Sequence, residues 1–167
     1  MIESEIIKQC QLGDVSAFKV IYETHHQSML RVALRLLGNQ QDAEDALQAA
    51  FLKLYRGIGR FRFQSKLSTY LYQILSRVCF DMLKSRKRRK TDELQEPLAV
   101  EHPQNDLKMQ LEEAIASLPD RMRLCFVLFA VEGVKQEEIA DIMDMSIGGV
   151  KSTVYHAKVK LRKYLKE

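Results

Sequence analysis

The chain has 167 residues with 46% hydrophobic and 29% charged side chains and a net charge of +4, the balance of a globular protein. No apolar run approaches the roughly 20 residues that a membrane-spanning helix needs, and the start MIESEIIKQC lacks signal-peptide character, so we expect no direct membrane insertion. The three cysteines are far apart and the four histidines do not cluster with carboxylates, so we expect no metal, no cofactor and a reducing, cytoplasmic compartment.

The first predicted helix covers residues 2–12 and ends at Gly13. Asp14 is a plausible N-cap for the next helix. Apolar residues then recur at helical spacing up to Gly38, with a break expected near His25. We interpret this part as core.

A more informative helix is predicted over residues 39–57. Its inward stripe consists of Ala43, Ala46, Leu47, Ala50, Phe51 and Leu54. The reverse face carries Asp45, Gln48, Ala49, Leu52 and Tyr55, a mixture of apolar and polar groups that suits a partner-binding surface. The spacing alone is equally consistent with a helix that its own domain covers on two sides.

Aromatic and basic residues alternate in the stretch RFRFQSKLSTYLYQ, residues 60–73. Phe61, Phe63, Tyr70 and Tyr72 are interleaved with Arg60, Arg62 and Lys66. Stacking aromatics next to phosphate-binding cations favour single-stranded nucleic acid. Core packing is the competing interpretation, since aromatic side chains are usually buried.

A long helix is predicted from residue 67 to about residue 90. Its second face carries Gln73, Arg77, Phe80, Lys84 and Arg88, and six of its last seven residues, 84–90, are basic. That density suits contacts to phosphates, although basic runs are often simply solvated and a nuclear-localisation signal would have the same composition.

Residues 91–106, TDELQEPLAVEHPQND, form the predicted linker, with two prolines, five acids and no apolar periodicity. Such a segment would reach about 55 Å when extended and average about 22 Å when flexible. It would allow the two halves to lie more than one turn of DNA apart, about 34 Å.

The second half is predicted to contain about four helices. One covers residues 107–118, and the next runs from Pro119 or Asp120 to Gly133 and buries Leu124, Val127, Leu128 and Val131. Residues 136–165 then form two helices around a tight turn, with Ser146 as the N-cap of the second. Opposite the apolar stripe of that last helix lie Gly148, Ser152, Tyr155 and His156, a small, polar and basic face that suits the major groove of DNA. An ordinary helical hairpin with a solvated face is the alternative.

Together these patterns predict an all-α protein with two small helical domains, residues 1–90 and 107–167, joined by a flexible acidic linker over 91–106. The C-terminal domain contains a helix-turn-helix.

The chain resembles a group IV, extracytoplasmic-function sigma factor over residues 18–165. FKVIYETHHQSMLRVALRLLGNQQDAEDALQAAFLKLYRGIGRF is similar to the first conserved region of that family, and STYLYQILSRVCFDMLKSRKRR resembles its promoter-melting and −10-recognition segment. LPDRMRLCFVLFAVEGVKQEEIADIMDMSIGGVKSTVYHAKVKLRKYL is similar to its −35-binding domain. The resemblance implies a protein that binds core RNA polymerase through the β′ and β subunits, recognises promoter DNA in double- and single-stranded form, and is often held inactive by an anti-sigma factor.

The resemblance also implies roles for residues. The helix that docks on polymerase is matched by Asp45, Gln48, Phe51 and Leu52, to which we add Tyr55 from the same face. The −10 and melting segment is matched by Phe61, Tyr70, Gln73, Arg77 and Lys84, with Phe63, Phe80 and Arg88 added from the patterns above. The −35 helix-turn-helix is matched by Ser146, Gly148, Gly149, Lys151, Ser152, Tyr155 and His156.

The chain departs from the family pattern in both DNA-binding segments. Tyr70 replaces the usual tryptophan, and Arg77 replaces a common asparagine. Asp144 replaces the usual glycine of the turn, Gly149 the usual threonine, and Thr153 the usual arginine. Several arginines of the last helix are lysine, which cannot make the bidentate fork to guanine. We therefore expect a −35 sequence that differs from those of better-known members, or contacts mostly to phosphate.

Two other classes of function remain. A stand-alone dimeric helix-turn-helix regulator would share the C-terminal pattern, but a regulator that binds only duplex DNA does not need the aromatic and basic stretch at 60–73. An enzyme is disfavoured, because the sequence has no nucleophile set, no Gly-rich phosphate loop and no carboxylate pair with metal ligands.

Overall fold

The computed structural model describes residues 2–92 and 107–166, and these residues form helices without a strand. In the N-terminal half the helices are α1 (Glu3–Gln11), α2 (Val15–Leu37), α3 (Gln40–Gly57) and α4 (Leu67–Asp92), and a 3₁₀ turn (Ile58–Arg60) follows α3. In the C-terminal half they are α5 (Leu107–Ala116), α6 (Asp120–Phe126), α7 (Gln136–Met143) and α8 (Ile147–Lys166). The all-helical prediction is confirmed.

Side-chain caps explain where the first long helices begin. The Asp14 carboxylate accepts hydrogen bonds from the backbone N–H groups of Ser16 and Ala17, as predicted for an N-cap of α2. Asn39 does the same for α3 by accepting from the N–H of Asp42 at 2.8 Å. Gly38 ends α2 with φ 81°, a left-handed conformation that glycine adopts without a steric penalty.

The core of the N-terminal half lies among α2, α3 and α4. All six residues of the predicted inward stripe of α3, from Ala43 to Leu54, are buried. Helix α2 is continuous from Val15 to Leu37, so the expected break near His25 is wrong. His25 lies inside an unbroken helix because it is partly buried and its ring contacts Glu3 of α1 at 3.5 Å, so local packing stabilises that turn.

The segment after Pro119 differs from the predicted single helix. Helix α6 ends at Phe126 and a π-helical turn, Val127–Val131, continues it. Leu124, Val127 and Leu128 are buried as predicted, but Val131 is 38% exposed, so its predicted burial is wrong. Val131 is the last residue of this π turn. Because a π turn is wider than an α-helical turn, Val131 no longer follows the α-helical spacing of the buried residues before it.

Helices α7 and α8 form the predicted helix-turn-helix pair. The turn requires a left-handed residue, and Asp144 occupies that position with φ 52°. Aspartate tolerates this conformation better than most non-glycine residues, which accounts for its presence where glycine is usual. The Ser146 hydroxyl accepts a hydrogen bond from the N–H of Gly149 at 2.9 Å and thus caps α8 as predicted.

The two halves pack directly against each other. Arg123 of α6 is 6% exposed and donates hydrogen bonds to the Leu36 carbonyl of α2 at 2.8 Å and to the Leu118 carbonyl at 2.9 Å. Its guanidinium also pairs with Asp120 at 3.0 Å. A buried cation therefore links the end of α2 to the start of α6. The predicted linker, 91–106, lies outside the described residues except for its first two positions, which continue the backbone of α4.

Candidate nucleic-acid and partner-binding surfaces

A ridge of exposed side chains runs along α3. Asp45 and Gln48 are exposed, and Leu52 and Tyr55 are 48% and 50% exposed. Phe51 is only 4% exposed, so it supports this ridge from below. Within the described residues the ridge has no covering helix. The alternative in which the protein covers α3 on two sides is therefore not what the structure has.

Helix α2 supplies aromatic support for this ridge that sequence reasoning missed. The Phe18 ring packs edge-on against Tyr55 with centroids 5.2 Å apart, and Tyr22 packs against Phe51 at 4.8 Å. His26 stacks on Tyr22 at 5.1 Å. Edge-to-face pairs of this kind fix ring orientation beyond what burial alone achieves. The helical spacing of Phe18 and Tyr22 was the available signal, and the sequence analysis interprets that part of the chain as core.

The aromatic residues after α3 divide into a buried part and an accessible part. Phe61 is 8% exposed, and the Gln11 side chain donates hydrogen bonds to the Ile58 and Phe61 carbonyls, each at 3.0 Å. Phe63 is 42% exposed with φ 59°. Tyr70 is partly buried, and its ring centroid lies 5.3 Å from that of Phe61. Phe61 thus fixes the loop, and Phe63 and Tyr70 are the rings that an unstacked base can reach.

The second face of α4 carries the predicted polar and basic residues, but the C-terminal half partly covers it. Arg77, Lys84 and Arg88 are exposed. Gln73 donates a hydrogen bond to the Asp141 carbonyl of α7 at 2.9 Å. The Arg121 guanidinium lies 5.9 Å from the centroid of the Phe80 ring, at the outer limit of a cation–π contact.

Part of the basic run at the end of α4 has a structural role. Arg86 donates to the Leu37 carbonyl at 2.8 Å and pairs with Asp42, so it ties α4 to the α2–α3 turn. The hydrogen bond from Asn39 and the pair with Arg86 hold the pKa of Asp42 below its usual value. Of the six basic residues in 84–90, Arg86 is therefore bonded within the N-terminal half and is not available to phosphates.

The α8 face opposite the core is open to solvent. Ser146, Gly148, Lys151, Ser152 and His156 are exposed, Tyr155 is 64% exposed, and Gly149 is half-buried. Val150, Val154, Ala157 and Leu161 are buried beneath it. The helix therefore presents an intact polar and basic surface on a fixed base.

The unusual Gly149 has a local packing reason. A Cβ at this position would lie 3.1 Å from both the Met145 methyl and the Ser146 hydroxyl. Any larger side chain would require these two residues to shift. Thr153 instead bonds within α8, where its hydroxyl donates to the Gly149 carbonyl at 2.8 Å.

The facing surfaces of the two halves leave a polar cleft between them. Its N-terminal wall contains Arg60, Phe61, Arg62, Gln64, Ser65, Tyr70 and Gln73, and its C-terminal wall contains Ala140, Asp141, Asp144, Met145 and Ser146. The loop of the −10 candidate and the helix-turn-helix turn thus face each other.

Four ion pairs join the described residues of the two halves. Arg31 forks onto both oxygens of Glu132, at 3.1 and 2.9 Å, and Arg35 pairs with Glu112 at 3.0 Å. Lys66 lies 2.7 Å from Glu138, and Lys87 lies 2.9 Å from Asp120. Burial alone would raise the pKa of Asp120, but Lys87 and Arg123 hold it below its usual value. The sequence analysis predicts none of these four pairs, and it assigns Lys66 and the basic run that contains Lys87 to phosphates instead.

The three cysteines lie in the interior of the described helices. Cys10, Cys79 and Cys125 are buried thiols, and burial raises the pKa of Cys79 to about 12 and of Cys125 to about 11. No group of potential metal ligands was found in residues 2–92 and 107–166. Over the same ranges, no helix has the length and apolar character needed to cross a bilayer.

Comparison with known families agrees with this geometry. Residues 21–89 match the model for sigma-70 region 2, and residues 108–161 match the model for sigma-70 region 4. The chain is 29% identical to the ECF RNA polymerase sigma factor SigM of Mycobacterium tuberculosis H37Rv over 98% of this chain and 84% of that one. It is 28% identical to the ECF RNA polymerase sigma factor SigW of Bacillus subtilis 168, over 100% of this chain and 98% of that one.

Solved structures share the fold. The sigma factor RpoE, solved with the anti-sigma factor NepR from Bartonella quintana, superposes with a TM-score of 0.76 at 25% identity, over 89% of this chain and 96% of that one. CnrH, solved with the cytosolic domain of CnrY, has a TM-score of 0.76 at 20% identity, over 96% and 95% of the two chains.

Proposed function

The chain belongs to the extracytoplasmic-function sigma factors of the sigma-70 family, which direct RNA polymerase to promoters, and on that premise we propose a role for each half. Residues 1–90 bind core polymerase and recognise and open the −10 element. Residues 107–167 bind the −35 element, and residues 91–106 connect the two.

The docking surface for polymerase is the α3 ridge. Leu52 and Tyr55 supply apolar area, with Asp45 and Gln48 as flanking polar groups. The buried Phe51 ring, held by Tyr22 and Phe18 of α2, keeps the ridge rigid. A rigid, partly apolar centre with a polar rim is the arrangement that protein partners use. The β′ subunit of core polymerase is its proposed occupant, and β is a further partner of the bound chain.

The −10 element binds along the loop after α3 and the second face of α4. Phe63 and Tyr70 stack on bases of the opened strand, with Phe61 as their packed support. Gln73 and Phe80 line the path of that strand. Arg77, Lys84 and Arg88 contact phosphates, because their cations lie exposed on one face of α4.

The −35 element binds as duplex on the exposed face of α8. Gly148 and Gly149 allow the N-terminus of α8 to approach the sugar-phosphate backbone of DNA closely. The Ser146 and Ser152 hydroxyls donate hydrogen bonds to phosphate oxygens. Lys151, Tyr155 and His156 lie on the surface that enters the major groove. Because this face presents lysine in place of arginine, phosphate contacts contribute more of its affinity than guanine readout does.

The remaining proposals concern regulation and place of action. The structural relatives include the sigma factor RpoE, solved with the anti-sigma factor NepR, and we propose that an anti-sigma factor also holds this chain inactive. The protein acts in the cytoplasm, where its polymerase is. It is a specificity subunit that catalyses no reaction of its own and needs no cofactor.

The exposed, uncovered leucine at position 52 is the observation that carries the polymerase-binding role. We expect Leu52→Asp to reduce affinity for core polymerase at least about 100-fold, because it places a charge at the centre of an apolar contact. Circular dichroism should stay helical, since the side chain is half exposed. Leu12→Asp, at a leucine that is 88% exposed and outside α3, is the matched control and should leave affinity within about twofold. Equal binding by both variants would contradict the docking role.

The stand-alone dimeric regulator is not favoured. The N-terminal half matches sigma-70 region 2, a segment that a regulator of that kind does not require. Co-purification with core polymerase distinguishes the two, since a regulator would instead bind a palindromic duplex tightly without polymerase.

A further inference from the structure

Helix α1 has no assigned role in the functions proposed above. The resemblance to the family begins at residue 18 and the region 2 match begins at residue 21, so neither includes α1. The helix is nevertheless fixed in place, because Ile7 and Cys10 are buried and Glu3 lies 3.5 Å from the His25 ring of α2. Its last residue, Gln11, reaches the segment between α3 and α4.

The Gln11 side chain bridges two carbonyls of that segment. Its amide nitrogen donates hydrogen bonds to the Ile58 oxygen and to the Phe61 oxygen, each at 3.0 Å. A primary amide has two N–H donors, so one group can satisfy both oxygens. The Ile58 oxygen also accepts a hydrogen bond from the Phe61 N–H at 3.1 Å, which closes the 3₁₀ turn. Gln11 therefore holds both ends of this turn from a different helix.

The bond to Phe61 sets the course of residues 61–66, which we call the −10 loop. The Phe61 oxygen belongs to the peptide group that leads into Arg62, and a peptide group is planar, so holding the oxygen fixes the orientation of that plane. Phe63 follows with φ 59°, a left-handed conformation that a bulky residue keeps only where its surroundings hold it. Gln11 supplies a restraint within two residues of that position.

The positions of the aromatic rings depend on this backbone. Phe61 is 8% exposed, and its ring contacts both neighbouring rings, with centroids 5.1 Å from Phe63 and 5.3 Å from Tyr70. A displaced Phe61 would therefore shift the two rings that we assign to base stacking. Rings that are already in place avoid the entropic cost of being ordered when the strand binds.

We propose that Gln11 is a positioning residue for promoter opening, whose amide holds the −10 loop in the conformation that presents Phe63 and Tyr70 to unstacked bases. This inference rests on the proposed −10 function of that loop. Gln11 itself touches no base and acts through the Phe61 carbonyl. Helix α1 thereby contributes to opening, although it lies outside the surfaces that we assign to DNA and polymerase.

A single fluorophore can report the order of the −10 loop. The chain has no tryptophan, so Phe63→Trp places one reporter on the loop and keeps an aromatic ring there. In this background Gln11→Met substitutes a side chain of similar length without an N–H donor. We expect the acrylamide quenching constant of the tryptophan to rise at least about twofold and its anisotropy to fall, because the loop loses a restraint.

The matched control is Gln9→Met in the same background. Gln9 lies on the same helix, and within residues 2–92 and 107–166 no hydrogen bond of its side chain is seen. The control should change neither quenching nor anisotropy. Equal quenching in the two methionine variants would overturn the proposal.

Promoter opening by the reconstituted holoenzyme tests the function, with the natural Phe63 in place. At amounts of the chain that saturate core polymerase, we expect Gln11→Met to lower the fraction of opened promoter about threefold in permanganate footprinting. Polymerase binding and closed-complex formation should be retained, since α3 and α8 are unchanged. A contribution to folding alone would instead reduce polymerase binding and leave opening per bound chain unchanged, which would overturn the positioning role.

A second donor should rescue the loss. Gln11→Lys restores N–H donors at a similar reach, so we expect loop order and promoter opening to recover to within about twofold of the original chain. Gln9→Lys adds the same charge to the same helix and measures what the charge alone does. If Gln11→Lys opens promoters no better than Gln11→Met, the hydrogen bonds to the loop are not the cause and the proposal fails.

Tyr70→Ala, measured in parallel, separates this inference from the function on which it rests. If Tyr70→Ala impairs opening and Gln11→Met does not, the positioning role is refuted while the −10 function stands. If Tyr70→Ala opens promoters normally, the proposed −10 function fails and the inference fails with it.

Discussion

The two candidate DNA-binding faces of this chain are presented in opposite ways. The α8 face is fully accessible, with Tyr155 64% exposed above a buried stripe that fixes the helix. The α4 face lies partly beneath α6 and α7, and its Gln73 is already hydrogen-bonded to the Asp141 carbonyl. The two surfaces that we propose for one promoter thus differ in availability, since one is open and the other is partly covered.

The largest expected effect comes from removing the buried cation that links the end of α2 to the start of α6. Arg123→Ala would remove the side-chain donor to the Leu36 and Leu118 carbonyls and would leave Asp120 paired with Lys87 alone. We expect the free energy of unfolding to fall by about 2–4 kcal/mol, because unsatisfied buried polar groups are costly. Urea denaturation measures this loss. Arg162→Ala, at an exposed arginine of α8, should change stability by less than about 0.5 kcal/mol, and an equal loss at both positions would contradict the role of Arg123.

The next prediction sharpens the comparison from the exposed side. Tyr155→Ala should weaken binding to a −35 duplex about tenfold, or about 1.4 kcal/mol, because the ring stands on the groove-facing surface. Binding to single-stranded DNA should not change. Tyr164→Ala is the control, since Tyr164 is 41% exposed near the far end of the same helix. Electrophoretic mobility shifts would measure both affinities, and a loss of single-strand binding with Tyr155→Ala would break the distinction between the faces.

The corresponding change on the covered side is Tyr70→Ala. We expect the fraction of opened promoter to fall about fivefold while formation of the closed complex is retained. The variant loses the stacking of a base on the Tyr70 ring, an interaction worth about 1 kcal/mol or more. Tyr70→Phe keeps the ring that packs against Phe61 and should open DNA nearly normally. Permanganate footprinting reports the opened strand. Equal opening by the alanine variant would show that Tyr70 serves only as packing.

The smallest effect concerns the ion pair that anchors the end of α4. The pKa of Asp42 is lowered in the folded chain, so its stabilising contribution is full above the unfolded pKa of about 3.9 and is lost as pH falls through the folded value. About a third of both side chains is exposed, so we expect only about 0.5 kcal/mol. Asp42→Asn should lower stability at pH 7 by that amount, and the difference should shrink below about pH 4. A difference that does not change with pH would exclude the charge as its cause.

Local structure could be read from the sequence because its causes are local. The caps at Asp14 and Ser146, the buried stripe of α3 and the middle of the α8 stripe follow from residue type and from spacing along one helix. At the two ends of the α8 stripe, Ile147 and Leu165 share the apolar spacing but are exposed, so their predicted inward position is wrong. The errors arose where packing overrode spacing. His25 lies within a continuous helix because its contact with α1 stabilises that turn. Val131 is exposed because it lies in a π-helical turn, which the spacing of apolar residues does not predict.

The arrangement of the halves could not be read in the same way. Arg31 and Glu132 are 101 positions apart, and each looked like a solvated surface charge in its own helix. The linker predicted over residues 91–106 suggests two separate halves, and its sequence does not indicate which faces of the halves would meet. The seven-residue spacing of Lys66, Gln73, Phe80 and Lys87 was present in the sequence, but it acquires meaning only beside α6 and α7.

The distance between the halves, in the free chain and on a promoter, is the most direct test of the account. Spin labels at Glu44→Cys and Lys160→Cys would lie on exposed positions of α3 and α8, while the native thiols are buried and unreactive. We predict one short distance in the free chain and, in complex with core polymerase and promoter DNA, a distance longer by more than about 20 Å, since the −10 and −35 elements then occupy separate turns of the duplex. The same short distance in both states would contradict the account.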